Sequence, residues 1–294
     1  MLKGSIVALI TPFNQDGTIN FKKLRDLIEI QYFSQTDALL ILGTTSESSA
    51  LADIEKEQIV EFVIRQNAKR MKIVVGVICN NTYEAILVAQ KYEKMKADYL
   101  LVSPPYYNKT NSTGLIKHFT SIASSVIIPI VIYNVPSRVG MNIGIEEFEI
   151  LKNVTNIVGV KECNKDINHI IEISKIADNN FSIYCGNDEL SYLFLTLGAK
   201  GLINVYGNLE PKVIKNLINI FDNNETLARE YFFNYYDIFK VMTIETNPIP
   251  IKDLMNYIGL NVGLYRLPLD KMGDNNRKIM IEKYLNCKSI KKNY

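Results

Sequence analysis

Short, almost wholly apolar runs alternate along the chain with longer stretches in which apolar residues return every three or four positions. The runs lie at 5–10, 38–42, 72–77, 98–102, 129–133, 157–161, 181–185 and 201–204. Uninterrupted apolar runs of this kind predict parallel strands buried on both faces. The longer stretches predict helices at 21–32, 55–67, 83–95, 114–124, 167–176, 189–197 and 211–221. In 21–32 the apolar stripe is Leu24, Leu27, Ile28 and Ile30, and in 55–67 it is Ile59, Phe62 and Val63. Eight runs with seven helical stretches between and after them predict an α/β fold, a (β/α)8 TIM barrel. A doubly wound open sheet is the rival architecture, but no GxGxxG follows the first run. Beyond Phe221 the strand signal stops, and 225–243, 251–258 and 271–285 read as helical. The expected domains are a barrel carrying the active site at 1–224 and a C-terminal helical domain at 225–294. The basic tail at 288–292 reads as a solvated end.

Composition then narrows the function. Among 294 residues, 33 Lys and Arg balance 31 Asp and Glu, a net charge of +2 with no basic block, which argues against nucleic acid as a partner. No apolar run approaches the roughly 18 residues a membrane helix needs. The longest, at 126–133, is broken by Pro129. The apolar stretch after Lys3 is too short for a signal peptide, so the expected location is cytoplasmic. Cys79, Cys163, Cys185 and Cys287 show no CxxC spacing and read as reduced thiols. With only His118 and His169 available, a histidine-built zinc site is not expected.

Barrels of this class place their chemistry at the C-terminal ends of the strands. There the runs deliver Thr11, Gly43-Thr44-Thr45, Cys79-Asn80, Ser103 with Tyr106-Tyr107, Tyr133-Asn134, Lys161-Glu162, Gly186-Asn187-Asp188 and Asn204. Lys161 is the one lysine that ends a run. Burial there disfavours the charged amine, and a neutral amine attacks a ketone to form a Schiff base that serves as an electron sink. A salt bridge to Glu162 or to another strand-end acid is the bland alternative. Tyr133 ends the neighbouring run and suits a proton shuttle, with Thr44 and Tyr107 as hydroxyl relays; equally, it is an aromatic cap on the core. The Gly43-Thr44-Thr45 turn offers backbone N–H groups to a carboxylate, or simply caps a helix. Arg138, in an irregular loop beyond Pro136, holds a second carboxylate or faces solvent.

Four segments taken together carry a resemblance: Gly43-Thr44-Thr45-Ser46-Glu47-Ser48, Tyr133-Asn134-Val135-Pro136-Ser137-Arg138, Val160-Lys161-Glu162 and Asn247-Pro248-Ile249-Pro250-Ile251-Lys252. The chain resembles, over essentially its whole length, the dihydrodipicolinate synthase / N-acetylneuraminate lyase family. The resemblance implies a class I, Schiff-base enzyme without metal or organic cofactor, usually a homotetramer. Arg138 and Tyr106-Tyr107 point to members that condense pyruvate with L-aspartate 4-semialdehyde for diaminopimelate and lysine synthesis. Implied roles are Schiff-base formation for Lys161, proton transfer for Tyr133 with Thr44 and Tyr107, and binding of the pyruvate carboxylate for Thr45. Arg138 would hold the semialdehyde carboxylate, Gly186 and Ile203 would line the pocket through their backbones, and Tyr107 would reach into a neighbouring subunit. An allosteric lysine site is implied at Ser48, Ser49, Asn80, Glu84 and Tyr106, with Asp53 and Lys56 nearby. The family usually has glycine where this chain has Ser46, so a side chain there is expected to narrow the pyruvate pocket or to strain a positive-φ backbone. The alternatives are a sialic acid or sugar-acid aldolase of the same family, or a non-catalytic keto-acid binder.

Overall fold

The structure is a computed structural model and describes residues 2–290. Strand and helix alternate in the order β1 (Gly4–Ala8), α1 (Phe21–Phe33), β2 (Ala38–Ile41), α2 (Asp53–Asn67), β3 (Lys72–Val77), α3 (Thr82–Lys94), β4 (Tyr99–Val102) and α4 (Ser112–Ser124). The second half continues with β5 (Ile130–Asn134), α5 (Pro136–Val139), α6 (Ile145–Leu151), β6 (Ile157–Glu162), α7 (Ile167–Ile176), β7 (Ser182–Cys185), α8 (Ser191–Thr196), β8 (Gly201–Asn204) and α9 (Pro211–Asn223). Three more helices follow: α10 (Glu225–Val241), α11 (Ile249–Tyr257) and α12 (Asp274–Ile290). All neighbouring strands pair in parallel, and β1 pairs with β8 through Gly4–Gly201 and Ile6–Ile203, closing an eight-stranded barrel. The TIM barrel is the fold the apolar pattern predicts.

Period-two alternation divides the strand residues between two cores. Ile6, Leu40, Val74, Leu101, Val131, Tyr133, Tyr184 and Ile203 fill the barrel interior. Val7, Leu39, Val75, Leu100, Ile132, Val160, Ile183 and Leu202 face the helices. One strand breaks this alternation, with a consequence for chemistry. Between β5 and β6 the register shifts, from Ile130–Ile157 to Val131–Gly159, so that Tyr133 stands opposite Lys161 and Asn134 opposite Glu162. Ile157 packs on the helical side. Without the extra residue, Lys161, four positions on, would share that side. The irregularity turns the lysine inward, as bulges beside functional sites do. Gly159 permits it: a Cβ there would stand 2.2 Å from the Ser182 carbonyl oxygen of β7.

Three local expectations need correction. Arg138 is not in an irregular loop but on the single-turn α5, where Pro136 at the first position presets φ and Gly140, at φ 72°, ends the turn. The helix after the fifth strand, α6, is only 7 residues long and carries its apolar signal on Phe148 and Leu151, too short a stripe for periodicity to register. Of the basic tail, residues 291 and 292 lie outside the described residues, whereas Lys288 belongs to α12 and pairs with Glu210 rather than standing free in solvent.

Candidate active site

Lys161 projects into the barrel mouth and is 6% exposed. Its Nζ lies 4.5 Å from the centre of the Tyr133 ring. The alternative pairing with Glu162 does not form, because the next residue of a strand faces the other way. Glu162 is wholly buried on the outer face and takes hydrogen bonds from Asn134, Asn164 and His169. Lys161 has no ion-pair partner among the described residues. A Cβ added at Gly186, just after β7, would sit 2.1 Å from Cys163 Sγ and 3.1 Å from Lys161 Cε, so a side chain there would displace the cysteine and crowd the lysine stem.

The Tyr133 hydroxyl lies 3.4 Å from Thr44 Oγ1, in the single 3-10 turn Thr44–Ser46 that follows β2. Each hydroxyl can donate or accept, which is what a proton relay needs. Tyr107 does not join them within one chain. It is 92% exposed and left-handed at φ 62°. Thr45 is buried, and its Oγ1 accepts a hydrogen bond from Asn247 Nδ2 at 3.0 Å. The Asn247 carbonyl in turn accepts from Arg138 Nη2 at 2.9 Å. One residue from the segment before α11 thus joins the turn after β2 to the arginine after β5. Asn247 carried no assigned role in the sequence reading, although it opens the Asn247–Lys252 motif.

Two cavities of about 290 and 460 Å³ share Tyr133, Val135, Arg138 and Asn247 as walls. The first reaches Thr44 and Tyr106, and the second reaches Cys163, Gly186 and Asp188. Ile203 lines neither; it is fully buried in the barrel interior. In the second cavity, burial pushes the Cys163 thiol up to about 11, so it stays protonated at neutral pH. Burial also raises the Asp188 carboxyl to about 6, against the opposing pull of backbone N–H donors from Tyr206 and Val205.

The positive-φ strain expected at Ser46 is not found. Its backbone is not left-handed; the positive φ falls one residue later, on Glu47 at 55°. Its side chain lines neither cavity but donates to the Leu9 carbonyl at 2.7 Å, while Thr11 Oγ1 donates to the Ser46 carbonyl at 2.7 Å. Ser46 therefore stitches the β2 turn to the end of β1. Of the residues named for an allosteric site, Ser48, Ser49, Glu84 and Tyr106 meet around a third cavity of about 300 Å³, together with Asp53 and Lys56; Ser48, Ser49 and Tyr106 are walls of the first cavity as well. Asn80 is not among its walls; its carbonyl receives Asn108 Nδ2 at 3.3 Å.

The loop bearing Thr44 and Thr45 is anchored by a pair the sequence reading did not identify. Lys252 Nζ and Glu47 Oε1 are 2.6 Å apart, and both side chains are completely buried. The other Glu47 oxygen accepts the Arg266 backbone N–H at 3.0 Å, and the Arg266 guanidinium pairs with Glu55 at 2.6 Å. The C-terminal segment therefore holds the turn from below as well as through Asn247.

This geometry sets the chain beside known proteins. The profile of the Dihydrodipicolinate synthetase family matches residues 1–286. The chain belongs to this family. Among curated family members, it is 43% identical to the 4-hydroxy-tetrahydrodipicolinate synthase of Thermoanaerobacter sp. (strain X514) over 289 residues, 97% of each chain. It is 40% identical to the enzyme of the same name from Brachyspira hyodysenteriae, covering 97% of this chain and 98% of that one. Solved dihydrodipicolinate synthase structures superpose closely. The enzyme from Methylacidiphilum fumariolicum SolV gives a TM-score of 0.95 at 33% identity, covering 98% of this chain and 97% of that one. The enzyme from Aquifex aeolicus gives 0.92 at 39% identity, covering 97% and 99%. The family likeness thus extends into α12 and is not confined to the barrel. Among the described residues, no helix is long and apolar enough to cross a membrane.

Proposed function

We propose that this chain is a 4-hydroxy-tetrahydrodipicolinate synthase, condensing pyruvate with L-aspartate 4-semialdehyde through a Schiff base on Lys161. The single observation that carries the assignment of Lys161 is its place: a buried, unpaired amine facing Tyr133 at the mouth of a closed barrel. In the proposed sequence the Lys161 amine adds to the pyruvate ketone and water leaves. Tyr133, relayed by Thr44, removes a methyl proton to give the enamine. The enamine carbon attacks the semialdehyde aldehyde, and the substrate amine closes the ring by displacing Lys161. Thr45 and the N–H groups of its turn would take the pyruvate carboxylate, and Arg138 the carboxylate of the acceptor. The lysine itself is the electron sink, so the scheme assigns no metal or organic cofactor. Because Tyr107 lies far out on its loop, its proposed part in the relay requires a neighbouring subunit.

Arg138 favours this acceptor over a polyhydroxylated sugar aldehyde, since it stands on a cavity wall where a carboxylate can reach it. The Ser46 hydroxyl, turned toward Leu9, removes the one feature that suggested a non-catalytic binder. Borohydride reduction with pyruvate tests the first step: the Lys161 peptide should gain one reduced pyruvate adduct. A protein that stays unmodified at Lys161 overturns the scheme. Turnover with the semialdehyde, and none with N-acetylmannosamine, tests the acceptor.

A further inference from the structure

Behind the reactive face of the β5–β6 pair lies a buried polar cluster that the proposed chemistry leaves unused. Glu162 and Asn134 stand opposite each other in register, one residue beyond Lys161 and Tyr133, and alternation puts them on the outer face. Both are completely buried. Asn134 Nδ2 lies 3.0 and 2.9 Å from the two Glu162 carboxylate oxygens. The Asn164 backbone N–H donates to Oε1 at 2.6 Å, and His169 Nε2 lies 3.2 Å from Oε2. Asn142 closes the ring, its Oδ1 accepting from Asn134 Nδ2 at 2.8 Å and from Asn164 Nδ2 at 3.1 Å.

No lysine or arginine pairs with Glu162 among the described residues; its one ionisable partner is His169. Keeping a carboxylate out of water with donors but without a permanent cation is costly. What gains from it is the adjacent group. Condensation of the Lys161 amine with a 2-oxo acid takes up one proton, releases one water and leaves a cationic iminium nitrogen. That nitrogen belongs to a residue only 6% exposed, where a fixed opposite charge counts more than it would in water.

We propose that Glu162 is a positioning residue for this step, and the inference rests on the Schiff-base reading given above. Its carboxylate, locked by Asn134, Asn164 and His169, holds the ends of β5 and β6 together so that Lys161 and Tyr133 face each other, and its charge favours the iminium on Lys161. His169 and Asn142 act through it by fixing its orientation. Asp188, a second buried acid at this end of the barrel, is tied to the backbone of Val205 and Tyr206 instead.

The test compares the full-length protein with Glu162→Gln, His169→Gln and His169→Leu, each checked for native thermal unfolding. The readouts are the rate of pyruvate imine formation, trapped by borohydride at Lys161, and the steady-state constants for both substrates. Glu162→Gln should slow imine formation on the order of tenfold, the effect of one buried charge acting through a single strand. The KM for the semialdehyde should stay unchanged. His169→Leu, which keeps the charge but removes a donor, should slow it several-fold, and His169→Gln, which restores a donor, should recover most of that rate. A folded Glu162→Gln that traps pyruvate at the unaltered rate overturns the inference. If Glu162→Gln does not fold, equal trapping rates in the two His169 variants overturn it. Absence of trapping in the unmodified protein would instead refute the Schiff-base reading itself.

Discussion

Lys252 offers the sharpest test of how the fold supports the site. Its Nζ is completely buried and reaches Glu47 at 2.6 Å, the Thr11 carbonyl at 3.3 Å and the Leu264 carbonyl at 2.5 Å, with the Phe13 ring centre 4.6 Å away. Burial pulls the lysine below its ordinary value, opposed by the charge of Glu47. Lys252→Met keeps length and bulk but strands a carboxylate in the core. A stranded buried carboxylate escapes by taking up a proton, which at pH 7 costs about 1.36 × (7 − 4.3), or about 3.7 kcal/mol, starting from the ordinary glutamate value. That falls inside the roughly 3–5 kcal/mol range for breaking a buried pair, and corresponds to about 7–15 °C in thermal midpoint. The sign follows from protonation. The folded variant binds a proton that the unfolded chain has already released above its ordinary range, so its stability falls as pH rises toward 7 and recovers as pH falls toward 5. The gap to the unmodified protein should therefore narrow by about 1.4 kcal/mol for each pH unit lowered, or roughly 3–5 °C. Removing both charges in Glu47→Leu with Lys252→Met should cost less than the sum of the two single changes, because neither leaves a charge behind. What remains is the desolvated Thr11 and Leu264 carbonyls and the Arg266 N–H, at about 1–3 kcal/mol each. Thermal unfolding of the four proteins from pH 5 to 8 decides the matter. Strict additivity, or a gap that does not change with pH, would refute a buried charge pair as the anchor of the Thr44–Ser46 turn.

Other outcomes follow from the same geometry. Arg138→Ala should lower kcat/KM for the semialdehyde about 10- to 10²-fold, the loss of a charge-assisted carboxylate contact, while borohydride trapping of pyruvate at Lys161 proceeds as before; equal loss of both would move Arg138 to the pyruvate end. Ser46→Gly should cost about 1–2 kcal/mol of stability, through the lost bond to Leu9 and the freer backbone, and leave kcat unchanged; a gain in activity would mean that the side chain does obstruct the pocket. Burial raises Asp188 to about 6 from an ordinary 3.8, so its contribution is fully present below pH 3.8 and is lost as pH rises through 6. Asp188→Asn lacks that loss, so the difference in thermal midpoint between variant and unmodified protein should shift in favour of the variant between pH 4 and 6, and a constant difference would refute the buried charge.

The barrel was legible because its strands are buried on both faces. Such strands appear as unbroken apolar runs, and their number and spacing leave few ways to close. Lys161 was legible as a strand end, but its direction was not. Counting from Ile157 by twos puts the lysine on the helical side, and only the register shift against β5 sends it inward. A bulge lies in the pairing of two strands and leaves no mark in the periodicity of either. The same limit explains Ser46, misread because the left-handed residue that the turn needs is its neighbour Glu47. A one-residue offset in backbone conformation does not show in composition.

What escaped the sequence reading is mainly long-range pairing. Glu47 and Lys252 stand 205 positions apart, and Thr45 and Asn247 stand 202 apart. Either acid or lysine, read alone, looks like an ordinary charged residue of a helix or turn, because the low exposure that makes it informative is a property of the folded chain. The consequence bears on how the site is built. The turn carrying Thr44 and Thr45 is short, and 3-10 turns make weak hydrogen bonds of their own. Its rigidity must come from outside: Leu9 and Thr11 hold Ser46 from the end of β1, while Asn247 holds Thr45, and Lys252 holds the next residue Glu47, from the segment beyond the barrel. The C-terminal helices are thus part of the machinery that fixes the proposed carboxylate site, and a chain cut after α9 would keep every strand of the barrel while losing the groups that hold Thr45 in place.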